Sequence, residues 1–191
     1  MRVSREQMAE NRERILETAA TLFRERGFDG VGVADVMKAV GLTHGGFYGH
    51  FTSKDDLAAQ ALGRAFANAN RWTSEAKAAD PQAPLQAIAS RYLSPSHRDD
   101  PGHGCPVAAL GCDVVRQGGA SRLAATEGVR TAIGGMSAIA PGETEEERRA
   151  SAIASYATLV GALVLSRMVD DEALSDEILA AARAALEPTQ Q

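Results

Sequence analysis

The nineteen residues from Val33 to Phe51 constrain this chain more than any other stretch. Val36, Met37 and Val40 stripe one short helix, read as Val33 to Val40, with Gly32 as its N-cap. Gly41 makes a turn and Leu42 is the single apolar residue inside it, as a tight helix pair needs. Thr43 caps another short helix, His44 to His50, which buries Phe47 and Phe51. This is the spacing of a helix-turn-helix, with Thr43 to Phe51 as its recognition helix. Gly45, Gly46 and Gly49 are costly in so short a helix. They leave an outward face nearly bare, so backbone and neighbouring side chains can approach base edges. Thr43 and His44 project at the N-terminal end, where this motif reads bases. Tyr48 and His50 can donate to phosphates, and Lys54 adds a cation at the start of the next helix. Helical proteins without such a role also contain a short helix, a glycine and another short helix.

The rest of the chain reads as helices as well. Aromatics are 5% of the residues and alanine is abundant, which favours helix over sheet. Ser4 with Gln7 opens a first helix to Arg26, with Ile15, Leu16, Ala19, Leu22 and Phe23 on one face and Gly27 at its end. Ser53 caps a long helix with Asp55 and Asp56 in its first turn, ending near Asp80-Pro81. A helix over 84–93 precedes a polar loop, Ser94 to Gly104. Cys105-Pro106 opens the next, Gly118-Gly119 ends it, and another runs over 120–139 to the Pro141-Gly142 break. Acids at 143–147 open a strong helix with Ile153, Tyr156, Ala157, Val160, Leu163, Val164 and Met168 as its apolar positions. A last helix covers 174–186. There is no strand pattern or internal repeat, so the chain is all-α: an N-terminal three-helix helix-turn-helix domain over 1–52 and a C-terminal helical domain over 53–191.

Charge does not point to nucleic acid. The net charge is −5, and the first sixty residues are themselves slightly acidic, Arg2, Arg5, Arg12, Arg14, Arg24, Arg26, Lys38 and Lys54 standing against a larger set of carboxylates. Any DNA contact therefore depends on local placement. The N-terminus lacks the apolar stretch of a signal peptide, and no apolar run is read as long enough to span a membrane. A cytoplasmic protein without membrane contact is expected.

The stretch Ile15-Leu-x-x-Ala-x-x-Leu-Phe-x-x-x-Gly-Phe28, then Val33-x-x-Val36, Gly41-Leu-Thr-x-Gly45-x-Phe-Tyr48-x-His-Phe51 and Ser53-Lys54-x-x-Leu57, resembles the head of TetR/AcrR-type transcriptional regulators. The resemblance covers roughly residues 10 to 60; beyond it only helix count and order agree. It implies a one-component repressor, a homodimer on a palindromic double-stranded operator, released by a small-molecule effector that tilts the long helix starting at Ser53. The positions matching the family's DNA contacts are Thr43, His44, Gly45, Tyr48, His50 and Lys54. The family usually carries a threonine or serine pair before its second helix; here Val31 and Gly32 stand there.

In the second domain, an effector pocket is expected between helices, with Phe66, Trp72, Tyr92, Cys105, Met136 and Tyr156 as candidate lining residues and Met168 also in view. A dimer interface is expected on Ile153, Val160, Gly161, Val164, Ile178 and Ala182, forming an intermolecular four-helix bundle. Cys105, at a helix start beside His103, is a candidate thiol sensor of oxidants or electrophiles, and some TetR-like regulators resemble it there. An inert, partly buried thiol is the competing reading, and Cys112 reads as core. His97, His103, Cys105 and Cys112 fit no standard zinc spacing. No metal, cofactor or enzymatic centre is expected, a thiol-redox enzyme centred on Cys105 being the weak exception.

Overall fold

The computed structural model describes residues 4–187. Among these, every regular element is helical, as expected from the composition. In chain order they are α1 (Arg5–Arg26), α2 (Val33–Ala39), a 3₁₀ helix (His44–Gly49), α3 (Lys54–Ala79), α4 (Pro84–Tyr92), α5 (Pro95–Asp99), a second 3₁₀ turn (Pro101–His103), α6 (Pro106–Gln117), α7 (Gly119–Ser137), α8 (Glu145–Met168) and α9 (Glu172–Ala184). Local chemistry sets most boundaries. The Ser4 and Ser53 hydroxyls accept the Gln7 and Asp56 amide protons at the starts of α1 and α3. Gly27 ends α1 at φ +74, a conformation that suits glycine. Thr144 and Glu147 form a reciprocal capping box at α8.

Two apolar cores share α3. The first gathers Ile15, Leu16, Ala19 and Phe23 of α1, Val36 and Met37 of α2, Phe47, Phe51 and the N-terminal half of α3, with Leu110 and Val114 of α6 joining them. The second gathers Ala76 of α3 with residues of α4, α7, α8 and α9 around Ile88, Tyr92, Leu159 and Leu163. Since α3 begins in one core and ends in the other, a tilt of this helix moves both.

Several expectations are corrected. The segment from Ser94 to Gly104 is two short helices instead of a loop; Ser94 and Asp100 accept backbone N–H bonds at their starts, and Pro95 and Pro101 suit first helical positions. Cys112 is exposed, not core. Glu145–Met168 is, by length and composition, long and apolar enough to cross a membrane, contrary to the sequence reading. Its Ala152, Ser155, Leu159, Ala162, Leu163 and Ser166 form one face buried within the protein, which is how a core helix acquires the same composition.

Of the expected interface residues, Val160, Ile178 and Ala182 are half-buried and pack on the second core of the chain itself. Ile153 is exposed, and Gly161 and Val164 are half-buried. With exposed Ala157, Leu165 and Met168, these last three make an apolar stripe along the outer side of α8.

Candidate functional site

The helix-turn-helix packs through its aromatic residues. Phe47 is buried and stacks on Phe51 at 5.7 Å between ring centres, and the Arg12 guanidinium covers Phe51 at 5.0 Å. Arg14 of α1 donates to the Val40 carbonyl at 2.6 Å, which ties α1 to the end of α2. With Phe47 held inward, Thr43, His44 and Tyr48 face solvent; Tyr48 is 68% exposed although its ring edge rests on Phe47. The Thr43 hydroxyl makes no capping bond to its own segment and is available to another molecule.

The segment His44–Gly49 is 3₁₀ and not the expected α-helix. Three glycines in six residues remove the helix propensity that would favour the wider coil, and short 3₁₀ pieces are common where propensity is poor. The glycine face is also less uniformly bare than expected. A Cβ at Gly45 would meet nothing within 4 Å. One at Gly46 would touch Met37 Cε and Thr43 Oγ1, and one at Gly49 would touch Met8 Cε, each at 3.7 Å. Gly45 alone of the three opens fully outward.

His50 is half-buried; burial first, then the Arg12 charge, lowers its pKa, which favours the neutral imidazole. Lys54 makes no ion pair among the described residues. The start of α3 beside it is not an open anion site, because Asp56 accepts from the Thr52 amide and hydroxyl at 2.9 and 3.0 Å. Those bonds hold the Asp56 carboxyl below its ordinary pKa, so a negative charge already sits there. At the other departure from the family pattern, Val31 is fully buried core. The Gly32 amide donates to Asp35 at 2.8 Å, so the start of α2 is satisfied from inside the helix without a threonine hydroxyl.

In the second core, the six expected pocket residues line two adjoining cavities, described here as lobes, that share Tyr92 and Tyr156. The narrower lobe, about 40 Å³, is bounded by Phe66, Trp72, Tyr92, His97, Cys105 and Tyr156. The wider lobe, about 150 Å³, carries Lys77, Ile88, Tyr92, Met136, Tyr156 and Leu159. Met168 is 74% exposed and lies elsewhere. Sequence reading missed Asn70, Thr73, Lys77 and His97. The first three were legible in principle: Phe66, Asn70, Thr73 and Lys77 follow one another at helical spacing, so polar groups continue a buried stripe.

His97 holds the wall around Cys105. Its Nε2 accepts the Cys105 amide proton at 3.0 Å, so Nδ1 carries the ring proton and donates it to the Tyr92 carbonyl at 2.7 Å. With both nitrogens occupied, His97 is no metal ligand, and no group of three metal-binding side chains gathers among the described residues. The strap formed by Ser94 to Gly104, which carries His97 and leads into Cys105, also touches the head. Arg24 of α1 is buried and donates to the Gly102 carbonyl at 2.7 Å. A Cβ at Gly102 would press on Thr21 and Glu25 of α1 at 2.8–3.1 Å.

An exposed glycine-rich segment is thus held on two buried aromatics and joined through one long helix to a helical body. Residues 15–61 match the model for bacterial regulatory proteins of the tetR family. That match covers the helix-turn-helix head, where the chain is similar to TetR/AcrR-type transcriptional regulators. It is 30% identical over 87 residues to the HTH-type transcriptional regulator AcrR of Shigella flexneri, covering 46% of this chain and 40% of that protein. It is 36% identical over 56 residues to the HTH-type transcriptional repressor KstR2 of Mycolicibacterium smegmatis, covering 29% of this chain and 27% of that one. The chain thus spans less than half the length of the curated relatives it matches. Across the whole fold it is similar to the reduced form of E. coli NemR, with a TM-score of 0.78 at 24% identity, covering 95% of this chain and 100% of that one.

Proposed function

We propose that this protein is a ligand-released repressor. Residues 1–52 form the DNA-binding domain and residues 53–191 the effector-binding and dimerisation domain, and two copies occupy a palindromic operator in the cytoplasm. The observation that carries the reading is the exposed Thr43–His44–Gly45–Tyr48 surface, held in place by buried Phe47 and Phe51. His50 and Lys54 flank it as phosphate contacts, and Gly46 and Gly49 complete the glycine face on the side toward Met37, Thr43 and Met8. The repressor role is supported by the name of the KstR2 relative.

A twofold arrangement follows from the need to read two half-sites, and the outer stripe of α8, Ile153, Gly161 and Val164 with Leu165, supplies an apolar face for it. Val160, Ile178 and Ala182 back that face from the chain's own core. Two routes connect cavity to head: α3, which lines both lobes, and the strap that carries His97 and Cys105 at its ends and seats Gly102 on α1. An effector weakens operator binding only if it prefers the cavity shape of the DNA-incompetent form.

The test is selection of bound fragments from random duplex DNA with the full chain, followed by titration against salt. A palindromic consensus is expected. Lys54→Ala should weaken binding to all sequences and lower the salt slope by about one. Selection of no consensus would sink the reading.

A second reading rests on Cys105, whose thiol lies in the wall of the narrower lobe with Tyr92 and Tyr156. There the effector would be an oxidant or electrophile that modifies the thiol. Cys112, exposed on the same helix, is the internal control. Alkylation of Cys105 slower than that of Cys112, with no loss of operator binding, rules this reading out.

A further inference from the structure

The cavity has a chemical polarity of its own. Its two lobes share Asn70, Thr73, Tyr92, Ala132 and Tyr156, and no aspartate or glutamate lines either. At the wide end stands Lys77. Its Nζ donates to the Gly135 carbonyl at 2.6 Å and has no carboxylate partner among the described residues, which leaves two N–H bonds to offer. The neighbouring hydroxyls do not compete as donors. Thr73, Ser74 and Thr131 each donate back to a carbonyl of their own helix at 2.9 Å. Burial lowers the Lys77 pKa, so this ammonium has lost water without gaining an anion.

The other pole is the Tyr92 hydroxyl. Tyr92 is 6% exposed, and the one group near its hydroxyl is the Cys105 thiol, a weak partner that leaves this buried polar group poorly satisfied. Ile88, Met136 and Leu159 supply an apolar middle. The wider lobe, near 150 Å³, is the size of a dry cavity that holds one benzene ring.

We propose that the effector is a small monocyclic aromatic acid, of the benzoate or hydroxybenzoate class, with its carboxylate on Lys77 and any ring hydroxyl turned toward Tyr92. This rests on the effector reading given above. A cationic ligand finds no counter-charge in this lining. A neutral one leaves the Lys77 ammonium as it is, desolvated and unpaired.

The test is calorimetry on the full chain with benzoate and 2-hydroxybenzoate against benzyl alcohol and benzylamine. Benzoate should bind at least tenfold more tightly than benzyl alcohol, and benzylamine more weakly than either. Lys77→Met keeps the apolar stem and should abolish the preference for the acid while leaving benzyl alcohol binding unchanged. Tyr92→Phe should weaken 2-hydroxybenzoate more than benzoate. Equal binding of acid and alcohol by the natural chain overturns the proposal whether or not the variants fold, as does the absence of any benzoate binding at millimolar concentration. Operator binding is measured separately. A selected operator that is bound, in a protein that ignores benzoate, overturns the ligand class and leaves the regulator reading standing. Benzoate binding without any operator does the reverse.

Discussion

Gly45→Ala separates the two demands on the recognition segment. Nothing lies within 4 Å of a Cβ added there, and the backbone is not in the left-handed region. The free protein should therefore gain, because alanine loses less chain entropy on folding into a helical turn: about 0.5–1 kcal/mol. For a chain of this size that is a rise in Tm of roughly 1–4 °C. The methyl points away from the protein, into the space where base edges would approach. If close backbone approach is what Gly45 is for, operator affinity should fall by about tenfold or more, about 1.4 kcal/mol. Thermal melting and fluorescence anisotropy on a selected operator read the two effects independently. Gly46→Ala and Gly49→Ala are the controls, since their methyls would rest on Met37, Thr43 and Met8 within the protein. They should cost less affinity. Operator binding by Gly45→Ala within twofold of the natural chain would refute the argument that this glycine exists for close approach.

Other perturbations test the body. A Cβ at Gly128 would lie 2.2 Å from Phe66 Cγ, so Gly128→Ala must displace that ring. A loss of about 1–3 kcal/mol is expected in chemical denaturation, together with altered ligand binding, because Phe66 bounds the narrower lobe. His97 has its pKa lowered below the ordinary 6.5, chiefly by burial, and protonating Nε2 would break its bond from the Cys105 amide. Its contribution to stability is therefore complete above pH 6.5. As the pH drops from there toward the lowered native value, the unfolded chain takes up a proton that the folded one refuses, and stability falls. In His97→Gln the decline over that window should flatten, as read from denaturant midpoints; an unchanged slope would remove His97 as its source. Leu165 is 53% exposed on the outer side of α8. Leu165→Glu should turn a dimer into monomers in sedimentation velocity while leaving the monomer's helicity intact.

The parts that sequence reading located well are those whose cause is local. Ser4, Ser53 and Pro106 mark helix starts because a cap or a missing amide acts within three or four residues. The same short-range logic exposed the helix-turn-helix, whose Phe47 and Phe51 lie only four residues apart. It failed from Ser94 to Gly104, where proline and glycine suggested a loop. The folded chain holds that segment with Arg167, from seventy residues away, donating to the His97 and Arg98 carbonyls at 2.7 and 2.9 Å. Cys112 was misplaced because helical spacing says which residues share a face and not which face is covered.

The amino-acid sequence by itself determined the all-α class, most of the helix limits and the position of the helix-turn-helix, since capping, propensity and apolar period act between near neighbours. Only the tertiary structure decided that the segment winds as 3₁₀, and that one face of α8 is core while its outer stripe stays open. It alone brought Lys77, Tyr92, Cys105 and Tyr156, from distant parts of the chain, around two adjoining lobes. The physical reason is that a cavity's charge and shape belong to no single helix; they arise where several meet.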